Sequence, residues 1–294
     1  MIEDIVRMLF IGSTNGAWVS LVALGYSLVY GVGGMMNIAH GSYVMLTGYI
    51  LLWMLESPFF GGSEWLIVTL TLIILTLIGA LTYILLVKPV QDSPINVVLI
   101  TFAFAFLIEL TVLWISGSEG KSISELKMAE GYIEIFGTKM QYQSLLVILI
   151  SLIIVSVFAL FINKSKLGKS IRAVSQDKEA ATLMGINADR IYLYTFVIAT
   201  FLAGVAACLS LPGANLEGPG VGFRFLTTSF AVVILGGMGS LVGSVVGAFI
   251  LGYVNSFTLI FVPKGEVWSN IVPLIVIVIM LLFRPQGLFG KKEL

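Results

Sequence analysis

The run Tyr142-Gln143-Ser144-Leu145-Leu146-Val147-Ile148-Leu149-Ile150-Ser151-Leu152-Ile153-Ile154-Val155-Ser156-Val157-Phe158-Ala159-Leu160-Phe161-Ile162 contains no charged residue. A helix of that length spans the ~30 Å hydrocarbon layer of a bilayer, which takes roughly 20 apolar residues. Outward from it, similar apolar stretches cover about 9–34, 42–56, 65–87, 95–116, 192–211, 225–237, 240–259 and 270–283. The composition agrees with this pattern. Of 294 residues, 58% are hydrophobic and 11% charged, and the mean hydropathy is +1.04. A soluble domain carries about a quarter charged residues, so a soluble globular enzyme is excluded. Lys and Arg (16) balance Asp and Glu (16), which leaves no basic excess to track a nucleic-acid backbone. Cys208 and His40 are each the only residue of their kind. That rules out a disulfide framework, a thiolate cluster and a multi-His metal site within the chain, and no cofactor is expected. The fold class is all-α: one polytopic membrane domain over residues 1–294 with about eight to nine segments.

Segments 42–56 and 225–237 are short for a crossing, and glycine-rich stretches flank them: Gly31-Val32-Gly33-Gly34 and Gly236-Gly237-Met238-Gly239. Interrupted or re-entrant helices are expected there. Backbone without helical hydrogen bonds is tolerated at membrane depth only where protein or a water-filled cavity satisfies it, so broken helices hint at a translocation path. The start, Met1-Ile2-Glu3-Asp4-Ile5-Val6-Arg7, lacks the features of a cleaved signal peptide. Basic residues gather on one set of loops: Lys88, then Lys164, Lys166, Lys169, Arg172, Lys178 and Arg190, then Arg284, Lys291 and Lys292. By the positive-inside rule those loops are cytoplasmic. The N-terminus is then expected outside and the C-terminus inside, with 117–141 an external loop and 163–191 a cytoplasmic one.

The loop 163–191 holds a decoy and a candidate. Lys166-Leu167-Gly168-Lys169-Ser170 ends like a phosphate-binding loop, but position 163 is Asn, and the glycine turn that would cradle phosphate is missing. Ser175 to Gly185 reads as a short helix, with Asp177 and Glu179 at the end where negative charge suits the macrodipole. Ala180 and Ala181 are small enough for another surface to approach, and Gly185 can supply a left-handed stop. This stretch is either a linker helix lying on the membrane or a docking helix for a cytoplasmic partner.

Glu179-Ala180-Ala181-x-x-x-Gly185 resembles the coupling motif of ABC importer permeases, and three further stretches narrow the resemblance. Asn37-Ile38-Ala39-His40-Gly41 looks like a signature of branched-chain amino acid permeases of the LivH/LivM type. Val233-Ile234-Leu235-Gly236-Gly237-Met238-Gly239-Ser240 looks like that family's glycine-rich segment, and Leu282-Phe283-Arg284-Pro285-Gln286-Gly287-Leu288-Phe289-Gly290 resembles its usual ending. The short N-terminus is more similar to the LivH branch. One departure is Thr101-Phe102-Ala103, where the family pattern suggests a glycine after the threonine. The resemblance implies a transport subunit rather than an enzyme, in a prokaryotic inner membrane. It also implies a second, LivM-like permease, two cytoplasmic ATPase subunits supplying ATP hydrolysis, and an external substrate-binding protein. The implied cargo is leucine, isoleucine and valine; relatives that carry urea and short amides keep that alternative open. An ATP-independent secondary transporter is a further alternative. A lipid-acting membrane enzyme would find little chemistry here.

Four polar residues are candidates for the substrate path. Asn37, His40 and Ser42 lie in an uncharged region between Arg7 and Glu56, and a buried imidazole there must find hydrogen-bond partners. They read either as a structural cluster holding a broken helix or as path-lining groups. Glu109 is the one acidic residue deep in an expected span, a position whose default reading is functional. Glu109 could receive a substrate ammonium, stay protonated, or pair with the second permease. Gly33, Gly34, Gly236, Gly237 and Gly239 are expected to break helices or let them pack closely. Gly33-Gly34-Met35 followed by Gly41-Ser42 is also echoed by Gly236-Gly237-Met238 followed by Gly243-Ser244, a weak sign of an internal repeat.

Overall fold

The computed structural model describes residues 2–57, 63–123, 129, 131–211, 215–216, 218 and 220–290. Lys291 and Lys292, and residues 124–128 and 130 of the 117–141 loop, lie outside the described residues. The described residues form eleven α-helices: α1 (Ile2–Gly33), α2 (His40–Glu56), α3 (Glu64–Thr82), α4 (Pro94–Ser116), α5 (Tyr142–Lys164), α6 (Lys166–Gln176), α7 (Lys178–Leu183), α8 (Ala188–Ser210), α9 (Val221–Gly236), α10 (Leu241–Phe261) and α11 (Gly265–Phe283). Seven of them are long and apolar enough to cross a membrane: α1, α3 with its extension to Val90, α4, α5, α8, α10 and α11. The remaining apolar segments form α2, of 17 residues, and α9, of 16. At 1.5 Å per residue each measures about 25 Å, short of the hydrocarbon thickness. The structure is thus an all-α polytopic membrane fold, with seven helices of crossing length and two shorter apolar helices, α2 and α9, among the described residues.

Helix α1 starts earlier than its apolar content suggested. Glu3 and Asp4 occupy its first turn, where carboxylates stabilise the exposed N–H groups. α3 ends in a π-helical turn, Tyr83–Val87, and a 3₁₀ turn, Lys88–Val90, before Pro94 opens α4. The described residues also form four short strands. Strands β2 (Tyr132–Ile135) and β3 (Thr138–Gln141) form an antiparallel hairpin turning at Phe136 and Gly137, both at positive φ as a two-residue hairpin requires. Strand β1 (Lys121–Ser122) pairs antiparallel with β4 (Asn215–Leu216).

The core is helix on helix. α1 packs along α10 and α8, with Gly12 against Tyr253, Gly16 against Phe249 and Gly25 against Ala199. α2 is buried over most of its length between α8 and α9, whereas α4, α5 and α11 keep broad apolar faces exposed. Those faces suit lipid, since apolar residues turned outward are stable only in hydrocarbon or under another chain. One end of the bundle holds the start of α1, the hairpin (Thr138 Oγ1 donates to the Glu3 carbonyl, 3.3 Å) and the end of α2, where Lys121 meets Glu56 at 3.7 Å. The other end holds the α3–α4 connection, α6, α7 and the tail after α11.

Candidate translocation and coupling sites

α1 does not hand over to α2 at the bundle surface. His40 Nε2 donates to the Val22 carbonyl at 3.0 Å. Val22 precedes the end of α1 at Gly33 by eleven residues, about 16 Å along the axis. The six residues 34–39 therefore climb back into the bundle, and α2 begins inside it. Gly34 makes the reversal at φ +64°, a conformation open to glycine without strain. The released backbone is answered locally. Ile38 N donates to Thr101 Oγ1 of α4 (3.1 Å), Ala39 N to Asn37 Oδ1 (3.1 Å) and His40 N to the Asn37 carbonyl (3.3 Å). Asn37 thus forms an Asx turn that starts α2. His40 is fully buried, with the rings of Tyr26 and Tyr43 set edge-on at 5.7 and 6.4 Å.

The N-terminal end of α9 meets that of α2 at the same depth. The backbone of Gly41 packs on Gly222 and Leu226, and a Cβ added to Gly222 would lie 3.2 Å from Ser42 Cα and 3.0 Å from Glu109 Oε1. The Glu109 carboxylate also accepts a hydrogen bond from the Phe223 backbone N–H. Two helix N-termini thus converge with a half-buried carboxylate and a buried serine, and the carboxylate takes an N–H group of the first turn of α9, which has no partner within the helix. Of the four path candidates, Ser42 and Glu109 come together here. Asn37 and His40 lie beside the junction and are engaged in holding α2.

The two glycine-rich breaks face each other. Gly236 ends α9, Gly237 and Gly239 take φ +103° and +81°, and Ser240 caps α10 by accepting from Gly243 N at 3.1 Å. A Cβ on Gly31 would come within 3.0 Å of Gly239 Cα. The tail then closes over this second break. Leu288 N donates to the Leu235 carbonyl and Phe289 N to the Gly236 carbonyl, both at 2.9 Å. The glycine-rich segment and the terminal motif are therefore one structural unit.

In the 163–191 loop the helix begins at Lys178, three residues later than its sequence suggested. Ser175 and Gln176 finish α6, and Asp177 caps α7 by accepting from Ala180 N at 2.9 Å. Gly185, at φ +84°, ends it. Ala181 is packed inward, while Leu183 and Met184 are 88% and 84% exposed at its tip. Sequence reasoning missed what anchors this helix. Lys178 Nζ reaches Asp92 Oδ1 at 3.4 Å and lies over the Tyr192 ring. Next to it, Gln91 Nε2 donates to Asp189 Oδ1 (2.9 Å), Lys88 reaches Asp189 Oδ2 (3.4 Å), and the Tyr83 hydroxyl is within reach of Gln91 and the Asp189 carbonyl. The polar group Lys88, Gln91 and Asp92 between two apolar spans was the available signal.

Comparisons with known proteins agree with this architecture. The family model for the permease component of branched-chain amino acid transport systems matches residues 8–281. The high-affinity branched-chain amino acid transport system permease BraD of Pseudomonas aeruginosa is 28% identical, over 98% of this chain and 96% of its own length. The corresponding permease LivH of Escherichia coli K12 is 27% identical over the same shares. Among solved structures, PsaBC from Streptococcus pneumoniae in complex with Fab has a similar fold, with TM-score 0.52 at 14% identity, covering 96% of this chain and 94% of that one. The match over nearly the whole length shows that the chain belongs to the family of permease components of branched-chain amino acid transport systems.

Proposed function

We propose that this chain is the LivH-like half of an ABC importer that moves leucine, isoleucine and valine into a prokaryotic cell, with its N-terminus outside and its C-terminus in the cytoplasm. The observation that carries this reading is end-to-end similarity to BraD and LivH, whose names give branched-chain amino acids as cargo. The partners are a second, LivM-like permease, two ATPase subunits and an external binding protein. α7 is the coupling helix, with Glu179, Ala180, Ala181 and Gly185 shaping it and the exposed Leu183 and Met184 available to an ATPase groove. Movement of α7 passes through Lys178 to Asp92 between α3 and α4, and α8 shares this network through Asp189 and Tyr192. The junction of α2 and α9, with Ser42 and Glu109, lies on the substrate path.

The test is ATP-dependent uptake of labelled leucine by proteoliposomes carrying this chain with its partners and binding protein, with urea in parallel. Leucine accumulation suppressed by isoleucine and valine is expected. Urea uptake without leucine uptake would move the cargo to short amides. Ala181→Trp is expected to abolish uptake while leaving the permease inserted, and undiminished uptake would remove α7 from the coupling role.

A further inference from the structure

Separate from the α2–α9 junction, α1, α9, α10 and α11 line a partly open cavity of about 470 Å³, within the roughly 300–1,000 Å³ of small-molecule sites. Its polar lining brings charges of both signs together with amides: Arg224 on α9, Glu266 and Asn270 on α11, Asn15 on α1 and Asn255 on α10. One wall is apolar, made by Trp18, Phe225 and Pro273, with the Trp18 and Phe225 rings edge to face at 5.8 Å. Two acceptors at this cavity are open to an outside donor. Asn255 Oδ1 is buried and has no hydrogen-bond partner among the described residues. Pro273 has no N–H to give to the carbonyl of Ser269, four residues earlier on the same wall. Buried acceptors without a donor are destabilising, and a bound cationic donor would answer both. On the opposite account, Asn15 Oδ1 accepts from Trp18 Nε1 at 3.4 Å, which leaves its NH₂ to donate. Arg224 already has an interaction within the fold, and its five N–H groups can serve a carboxylate as well.

A second cavity of about 650 Å³, lined by Asp4, Arg7 and Lys264, shares Leu259 and Glu266 with the first. It lies at the bundle end where α1 starts, and the two cavities adjoin at Leu259 and Glu266. We propose that the first cavity binds the zwitterion of an apolar α-amino acid within this single subunit. Arg224 and Asn15 hold the carboxylate. Glu266, Asn255 and the Ser269 carbonyl hold the ammonium, and the side chain lies against Trp18, Phe225 and Pro273. This rests on the reading of the chain as an amino-acid importer and adds a site that selects the zwitterion independently of the external binding protein.

The test is binding of tritiated leucine to the assembled importer in nanodiscs without binding protein. Leucinamide, which lacks the carboxylate, and 4-methylpentanoate, which lacks the ammonium, serve as competitors. Arg224→Gln is expected to weaken leucine binding at least tenfold and to erase the preference for leucine over leucinamide. Glu266→Gln should erase the preference for leucine over 4-methylpentanoate, a crossover that general loss of structure does not produce. If Arg224→Gln fails to assemble, Asn270→Trp, which fills the cavity, is expected to abolish binding. Unchanged binding by these variants, in an importer whose wild type accumulates leucine with ATP, would overturn the site and leave the transport reading intact. Absence of ATP-driven leucine uptake by the wild type would overturn both. A phospholipid that co-purifies with the wild type but not with Arg224→Gln, without any change in leucine binding, would assign the cavity to a lipid headgroup and overturn the proposal.

Discussion

The chain contains two Gly-Gly-Met breaks, at Gly33-Gly34-Met35 and Gly236-Gly237-Met238, and they resolve in different ways. The first turns the chain back into the bundle over six residues, and its exposed backbone is satisfied by side chains, Asn37 from the break itself and Thr101 from α4. The second is a tight connection into α10, and its free carbonyls are satisfied by backbone N–H groups of the tail, Leu288 and Phe289. Inside a membrane every backbone polar group needs a partner, so a break can be specified only together with its partner. Side-chain partners leave the first break dependent on single residues elsewhere. Backbone partners leave the second dependent on geometry, and hence on glycine.

The largest effect is therefore expected at the second break. A side chain at Gly243 or Gly236 would meet backbone of the other residue, which no rotamer change relieves. Gly243→Leu should leave almost no folded permease in the membrane, as read by detergent-resistant, monodisperse protein. A near-normal yield would show that this break can open to admit bulk. At the first break, Thr101→Val keeps the shape but leaves Ile38 N without its acceptor, which costs about 1–3 kcal/mol. Thr101→Ser should recover most of that loss in a thermal-unfolding series in detergent. If Thr101→Val matches wild type, the side chain does not support the break. The most local effect is expected from removing residues 286–294, which deletes the two tail hydrogen bonds, worth about 0.5–1.5 kcal/mol each. Protection of the Leu235–Ser240 amides from hydrogen exchange should fall while that of α1 and α8 is retained, and an equal loss across the bundle would mean that the tail supports more than its own break.

Much of the fold was legible because hydrocarbon imposes a simple rule on composition. The charge-free runs located the long spans, and the short ones at 42–56 and 225–237 marked the helices that fall below crossing length. Gly185 was readable as the stop because a left-handed C-terminal turn depends on residues within one turn of the helix end, whereas the start at Lys178, capped by Asp177, lies three residues past the expected Ser175. The partners of the broken segments were not readable. Thr101 stands 63 residues from Ile38, and Glu109 is brought to Gly222 only by the packing of α4 beside α2 and α9. The Lys88–Gln91–Asp189 network likewise joins the α3–α4 connection to α8, across about a hundred residues of sequence.

What sequence determined by itself was the solvent of this protein, its long helices, the location of its breaks and the family its motifs resemble. Each depends on composition or on neighbours within a turn or two. Tertiary structure alone decided that α2 starts deep in the bundle, that the N-termini of α2 and α9 meet beside Glu109, and that the tail closes over the second glycine break. These follow from the demand that buried polar groups be paired in a medium without water, and that demand is met by contacts distant in the chain.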